Sequence, residues 1–436
     1  GSDITDRRNW DAYLVDGVVR KLSYIEARMM QGFPEDFEFP VSPTQAIKQL
    51  GNSVAVDAVQ AVGNNVITYM ESLTNDTSMN KTKNKGEWTE LLVFIKLLLE
   101  QKISLADADL VPTGNYFDVT KISTHNLDYE YLPLNNTDIQ VITKKTQETR
   151  NINIESLISP AILNNLITSI KSGNDSINKS GFEVIQNELG FTIVKGGNSS
   201  QKADILLDIK IENIVKKEEG FGIKSYLGNS PTLLNASGTT NFIFEVENLH
   251  KDKIDEINAI DTKTKLKDRL AFIEAHGGKL NYIGPEKDTM DYNLRMVDSN
   301  MPQIIGHVLL AFYKKRISSV REIVDYLHEK QELYQEIRYP DKAFLESKIK
   351  KLLVDNLLGF FAGTKWDGSY EANGTIIMKK TGDLVAFHLI DLESLKSYLY
   401  NHIKLDTPST TRHRFGKLIL EKDNKLYFKL NLQLRF

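Results

Sequence analysis

Apolar positions along this chain recur with two periods, and the change from one to the other divides it. Val19–Gln31 (VRKLSYIEARMMQ) has helical spacing. Ser23 with Glu26 three positions on is a capping-box pattern, and Gly32-Phe33-Pro34 supplies the stop. Ala46–Met70 contains a second helical stretch, interrupted at Gly51-Asn52-Ser53. Residues 72–85 are polar and read as a linker. Gly86–Gln101 (GEWTELLVFIKLLLEQ) predicts a strong helix, with mixed segments and long polar loops following to residue 180. Alternation and β-branched content then predict strands at Phe191–Val194, Ala203–Ile211, Gly220–Leu227 and Phe242–Val246. Residues 251–338 read as mostly helical and Lys342–Asn356 as one more helix. Two hairpin patterns come last, IIMKK-TGD-LVAFHL and LILEK-DN-KLYFKLNLQL.

The block Ala203–Ser225 carries candidate chemistry. Asp204 opens one alternating run, and Lys224 stands near the end of the next. An acid and a lysine at the ends of adjacent strands suit metal-dependent phosphodiester hydrolysis. A hard cation polarises the phosphate and activates water, and a nearby positive group stabilises developing charge.

Composition narrows the choice. At 436 residues the chain predicts two or three domains. Its 41% hydrophobic and 26% charged residues are those of a soluble globular protein, and no apolar run reaches membrane-span length. The polar start GSDITDRRNWDAY is no signal peptide, so a cytoplasmic location away from membranes is expected. The chain has no cysteine, which excludes disulfides, thiolate metal sites and a cysteine nucleophile. Metal chemistry must then use oxygen and imidazole ligands, which favours Mg²⁺. The net charge of −4 does not suggest a DNA binder, but residues 396–436 hold nine Lys/Arg against three Asp/Glu, a local +6.

In the first unit, Arg20, Leu22, Ser23, Glu26 and Gln31-Gly32-Phe33-Pro34, then Gln49-Leu50-Gly51-Asn52-Ser53-Val54, resemble the last two motifs of cytosine-5 DNA methyltransferases. The resemblance implies that Gly-Asn-Ser-Val helps close an S-adenosylmethionine pocket. The catalytic Pro-Cys motif of that family is missing, so this chain alone does not methylate cytosine by that route. Residues 1–71 would complete a methyltransferase fold supplied by other sequence or by a partner chain.

Residues 79–436 resemble type II restriction endonucleases of the HpaII kind. The residues that carry this are Asn84-Lys85-Gly86-Glu87-Trp88-Thr89-Glu90, Lys202-Ala203-Asp204-Ile205 and Gly220-Phe221-Gly222-Ile223-Lys224-Ser225. Thr407–Gly416 and the ending Leu430–Phe436 add to them. The resemblance implies a restriction-endonuclease-like α/β (α+β) mixed sheet flanked by helices, with a helical N-terminal appendage and a β-rich DNA-binding C-terminal part. The expected division is 1–71 methyltransferase fragment, 72–85 linker, 86–250 catalytic core and 251–436 recognition part. The implied activity is Mg²⁺-dependent cleavage of double-stranded DNA at a short GC-rich palindrome such as CCGG, blocked by cytosine methylation. A cognate methyltransferase is the implied companion, and a palindrome favours a homodimer. The alternative is a methyltransferase accessory chain whose inactive nuclease part serves as a DNA-binding module.

Asp204 and Lys224 are the expected catalytic pair, with Asp204 and the Ile223 carbonyl as Mg²⁺ ligands. The wider nuclease pattern is Asp, then Asp/Glu-x-Lys, and here Gly222 occupies the second acid position. Glu90 lies four before Phe94 and seven before Leu97, on an inward helical stripe where a carboxylate needs a partner or a metal. It is the leading second ligand and third catalytic residue, with Glu87 and Asp208 as the other candidates. Expected DNA contacts are Ser225, Asn235, Ser237, Asn241, Lys365, Ser409, Thr410, Arg412, His413 and Arg414, arginine being the common bidentate reader of guanine.

Overall fold

The computed structural model describes residues 13–56, 58–60, 62, 85–124, 128–172, 184–185, 187–190, 202–331, 333 and 337–436. It divides into two compact units, Gly1–Thr82 and Lys83–Phe436. The expected strand at 191–194 and most of the expected linker lie outside the described residues.

In the first unit a hairpin, β1 (Tyr13–Val15) and β2 (Val18–Arg20), leads into helix α1 (Tyr24–Met30). The Ser23–Glu26 capping box forms at its start as the spacing predicts. Glu26 also takes two guanidinium bonds from Arg20, at 2.9 and 2.7 Å. That pairing, with two bonds from Ser23, holds the Glu26 carboxyl down at about 2. Arg20, Ser23 and Glu26 are therefore one device for starting a helix. Helix α2 (Pro43–Asn52) ends at Ser53, whose hydroxyl donates to the Leu50 carbonyl. Among the described residues, only Ala27, Ala46 and Leu50 of this unit form buried apolar core.

The second unit opens with helix α3 (Lys85–Glu100). Strands β3 (Lys102–Ala106), β4 (Pro112–Ser123), β5 (Tyr129–Pro133), β6 (Asp138–Thr143) and β7 (Thr149–Asn153) follow, where the sequence read as mixed segments and long polar loops. Polar residues fill alternate positions of these strands, as in β6, where Ile139 and Val141 are buried between half-exposed neighbours. Such half-buried meanders look like loops by composition. Helices α4 (Ile154–Leu157) and α5 (Pro160–Ser172) precede the site strands β8 (Ile205–Ile211) and β9 (Ile214–Ser225).

Strands β10 (Thr232–Leu234) and β11 (Asn241–Glu247), helices α6 (Lys253–Ala259) and α7 (Lys265–Ala275), and β12 (Lys279–Pro285) come next. β12 interrupts the stretch 251–338 that reads as mostly helical, and it pairs antiparallel with β11. Helices α8 (Asp288–Val297), α9 (Met301–Lys315), α10 (Val320–Lys330) and α11 (Lys342–Leu358) form the helical layer. The C-terminal part holds the hairpin β13 (Gly374–Met378) and β14 (Leu384–His388), helix α12 (Leu392–His402), β15 (Lys404–Leu405), the short helix α13 (Thr410–His413), the hairpin β16 (Leu418–Leu420) and β17 (Leu426–Asn431), and β18 (Leu434–Arg435).

A nine-stranded mixed sheet runs β3-β14-β13-β9-β8-β4-β5-β6-β7, and β3 also pairs with β4. β13 lies parallel to β9 and antiparallel to β14. β13 and β14 are buried along their whole length, because both faces are covered. On one face, α3 packs with Phe117, Ile205, Phe221, Ile376 and Met378. On the other, Ile377, Val385 and Phe387 join the core of the helical layer and of a four-stranded antiparallel sheet, β12-β11-β17-β16.

One polar pair sits inside this layering. The His388 ring, with its side chain 1% exposed, lies beside Phe117 and Phe221. Its Nδ1 accepts from the Ile390 N–H at 3.1 Å, so Nε2 carries the proton and donates to Glu219 at 2.8 Å. Burial holds the imidazole below its ordinary value, with the Lys216 charge adding to this and Glu219 opposing it. A histidine kept neutral in the fold contributes stability that is complete above its unfolded pKa of about 6.5 and is lost as pH falls toward its lower folded value. The stability of the wild type, followed by urea unfolding, is expected to decline below about pH 6.5 more steeply than that of His388→Gln. Equal slopes would refute this.

Candidate functional site

β8 and β9 are antiparallel, with Ile205 opposite Phe221 and Leu206 opposite Gly220. Just before β8, the Asp204 N–H donates to the Phe221 carbonyl at 2.9 Å. The Asp204 carboxylate then accepts from the Ile223 N–H at 2.7 Å, beside Lys224. Alternation puts Lys224 on the face of its β13 partner Ile377, and Asp204 on the same face. The acid and the lysine read from the sequence thus meet on one face of two paired strands. Burial pushes the Asp204 carboxyl up, while the Lys224 charge and the Ile223 N–H pull it down. One carboxylate oxygen is committed to Ile223, and the rest of the group retains its acceptor capacity.

Gly222, at the position of the usual second acid, has a steric reason. A Cβ there would lie 2.9 Å from the Lys202 backbone carbonyl and 4.0 Å from the Asp204 carboxylate. The Thr375 hydroxyl donates to the Gly222 carbonyl at 3.0 Å, holding the strand in this position. No side chain enters without moving backbone.

The other carboxylates are differently placed. Thr89 of α3 lies 3.4 Å from the Ser225 hydroxyl, so the first turns of α3 meet β9 at its end. Glu90, half-buried, follows Thr89. The helix comes from the Ile223 and Ser225 face, opposite to the face that carries Asp204 and Lys224. The Glu87 side chain lies outside the described residues. Asp208 is engaged structurally: it accepts from the Glu218 N–H at 2.8 Å and stands 3.7 Å from the Lys121 ammonium. Among the described residues, no three His, Asp or Glu side chains gather as a ready metal cluster.

Sequence reasoning did not single out the role of Lys202. Its ammonium donates to the Asn356 carbonyl at 2.7 Å and lies 4.2 Å over the Phe361 ring. Burial, then the Lys224 charge, pushes it down to about 7, and Glu371 opposes this. Its signal in the sequence is only its place two residues before Asp204.

The expected DNA contacts fall into separate groups. Asn235, Ser409, Arg412 and Arg414 are exposed, and Ser237, Thr410 and His413 are half-buried. Ser409 caps α13 by accepting from the Arg412 N–H, and Arg414 ends it in a left-handed conformation. Lys365 is exposed on the loop after α11, 5.3 Å over the Tyr292 ring. Ser225 is half-buried and accepts from the Leu227 N–H. Asn241 is 2% exposed, and its amide is spent on Glu286, Asn431 and the His413 carbonyl. This corrects its expected contact with DNA: burial in the strand pair leaves it no free face.

The HpaII restriction endonuclease family matches residues 84–436. The chain belongs to this family. The type II restriction enzyme HpaII of Haemophilus parainfluenzae is 31% identical over 359 residues, which is 81% of this chain and 98% of the relative. Residues 4–68 match the C-5 cytosine-specific DNA methylases. The type II methyltransferase M.SsoII of Shigella sonnei is 51% identical over 53 residues, 12% of this chain and 14% of that relative. M.HpaII of Haemophilus parainfluenzae is 44% identical over 55 residues, 13% of this chain and 15% of that relative. No solved structure matches. The chain is therefore a type II restriction endonuclease, a hydrolase that binds DNA in a restriction–modification context, joined to a methylase fragment. Among the described residues, no helix is long and apolar enough to cross a membrane.

For an enzyme of this family the residues present suit Mg²⁺. That ion takes one or two carboxylates, keeps several waters and accepts phosphate oxygens. Asp204, with acceptor capacity left and its charge disfavoured by burial, offers one such ligand. The Gly222 geometry gives a test. Gly222→Asp restores the usual acid on paper, yet it is expected to lower both cleavage and melting temperature, because its Cβ meets the Lys202 carbonyl. Activity equal to or above wild type would overturn the steric account.

Proposed function

We propose that residues 83–436 hydrolyse DNA at a short GC-rich palindrome of the CCGG type, using Mg²⁺ held by Asp204, the Ile223 carbonyl and Glu90. The observation that carries this reading is the 2.7 Å bond from the Ile223 N–H to Asp204, which locks the acid beside Lys224. When bound, the metal polarises the phosphate and lowers the pKa of water. Asp204 holds negative charge at the strand start. Lys224 holds positive charge on the same face, where it stabilises the phosphoryl oxygens as their charge grows. The half-buried Glu90 beside Thr89 supports its choice as second carboxylate. The steric need for glycine at 222 supports reading the site as intact.

Arg412 and Arg414 are proposed to read or grip the DNA, with Asn235, Ser237, Ser409, Thr410, His413 and Lys365 beside them. A palindromic target favours a homodimer in action. Residues 1–71 are proposed to complete a methyltransferase fold with separate sequence, a reading supported by the match of residues 4–68 to the C-5 cytosine-specific DNA methylases. A cognate cytosine methyltransferase would protect the host site.

The test uses unmethylated plasmid, Mg²⁺ and mapped ends. Discrete fragments are expected, with Asp204→Ala and Lys224→Ala each slower by about 10²–10³-fold or more. Glu90→Gln is expected to raise the Mg²⁺ concentration needed for half-maximal rate. CCGG sites carrying methylated cytosine should resist. Intact DNA with retained binding would sink the catalytic reading.

A further inference from the structure

Where β11 meets β17, a polar hub lies on the face opposite the phenylalanines and leucines of the core. Asn241 and Asn431 face each other directly across β11 and β17, 2% and 0% exposed. Their neighbours Phe242, Phe244, Phe428 and Leu430 are fully buried. The Asn431 amide donates to Asn241 Oδ1 at 2.7 Å and to the Ser237 carbonyl at 2.8 Å. The Asn241 amide donates to Glu286 Oε2 at 2.8 Å and to the His413 carbonyl at 3.0 Å. Asn431 Oδ1 accepts from the Thr240 hydroxyl at 3.3 Å, and Lys429 donates to Glu286 Oε1 at 2.8 Å.

Burying two amides beside a part-buried carboxylate and ammonium is costly, and well-packed apolar residues often serve stability as well or better. A fully satisfied network gives instead a fixed geometry. This one grips two surface segments at once. One end holds the Ser237 turn, next to exposed Asn235. The other holds the end of α13, between exposed Arg412 and Arg414. The Gly416 N–H bond to the Lys429 carbonyl, 2.9 Å, fastens the chain just beyond.

We propose that Asn241, Asn431 and Glu286 are positioning residues that set sequence discrimination, by fixing the Ser237 turn and α13 in one spatial relation. The inference rests on the reading of residues 409–414 as a DNA-contacting segment. A bidentate arginine–base contact needs its backbone held to a fraction of an ångström, and such a contact is the main source of direct discrimination. The hub touches no DNA itself. Loosening it relaxes the choice of site and leaves the Asp204–Lys224 chemistry in place.

The experiment measures kcat and KM of the full chain on oligonucleotides with the cognate site and with one-base variants of it. Asn431→Ala removes both amide bonds. Glu286→Gln is the milder variant, because its amide nitrogen faces the Asn241 donor or loses Lys429. Both are expected to lower the cognate-to-variant ratio of kcat/KM by about tenfold or more. KM for the cognate site should rise while kcat at saturating DNA holds. If Asn431→Ala does not fold, Glu286→Gln decides. An unchanged ratio, with all sites slowed in proportion, would reduce the hub to a structural role and overturn the proposal. The double variant Arg412→Ala/Arg414→Ala separates the underlying reading. Wild-type DNA affinity in it removes that reading, and the proposal with it. Lost affinity there, with full discrimination in both hub variants, removes the proposal alone.

Discussion

The approach of two backbones, Gly222 against the Lys202 carbonyl, constrains everything around the site. It brings the start of β8 close enough to β9 for Asp204 to take the Ile223 N–H. It also excludes any side chain at the position where related nucleases carry an acid. The strand pair that puts Asp204 beside Lys224 is thus the one that denies the site its usual second carboxylate. Thr375 secures the same point from β13 by binding the Gly222 carbonyl. Any further acid beside Asp204 and Lys224 has to come from outside the two strands, and α3 reaches β9 at Ser225.

Much of this was legible in the sequence, and the reasons differ by element. Helix α1 was readable to its cap, because the Ser23–Glu26 pair is local chemistry. The two C-terminal hairpins were readable from short turns between alternating runs. Strands β3 to β7 were not, since half of each faces outward and carries polar residues. β12 was hidden by its position between helices. Its partner β11 was found, but the pairing spans the α6–α7 segment, which no local pattern reports.

The site itself divides the same way. Asp204 and Lys224 stand at strand ends, so alternation alone places them on one face. Asn241 failed as a DNA contact because sequence position says nothing about which asparagine faces a partner across a strand pair. Polar residues just after a strand look alike in sequence whether they face solvent or hold neighbouring loops in place. Lys202 was overlooked because its partners, Asn356 and Phe361, lie more than a hundred residues away in the chain.

Charge and burial argue in one direction at the site. Burial raises Asp204 and lowers Lys202, so each resists the form that would carry full charge. Such a setting strengthens every Coulomb interaction a bound cation or phosphate makes, since little water competes. A carboxylate whose ionisation burial opposes gains most from a neighbouring cation, and Lys224 supplies only part of that. The same desolvation makes a mispositioned group expensive. A site of this kind depends on the rigid glycine contact beneath it more than a solvated one would, and the sheet, buried on both faces at β13, gives the rigidity.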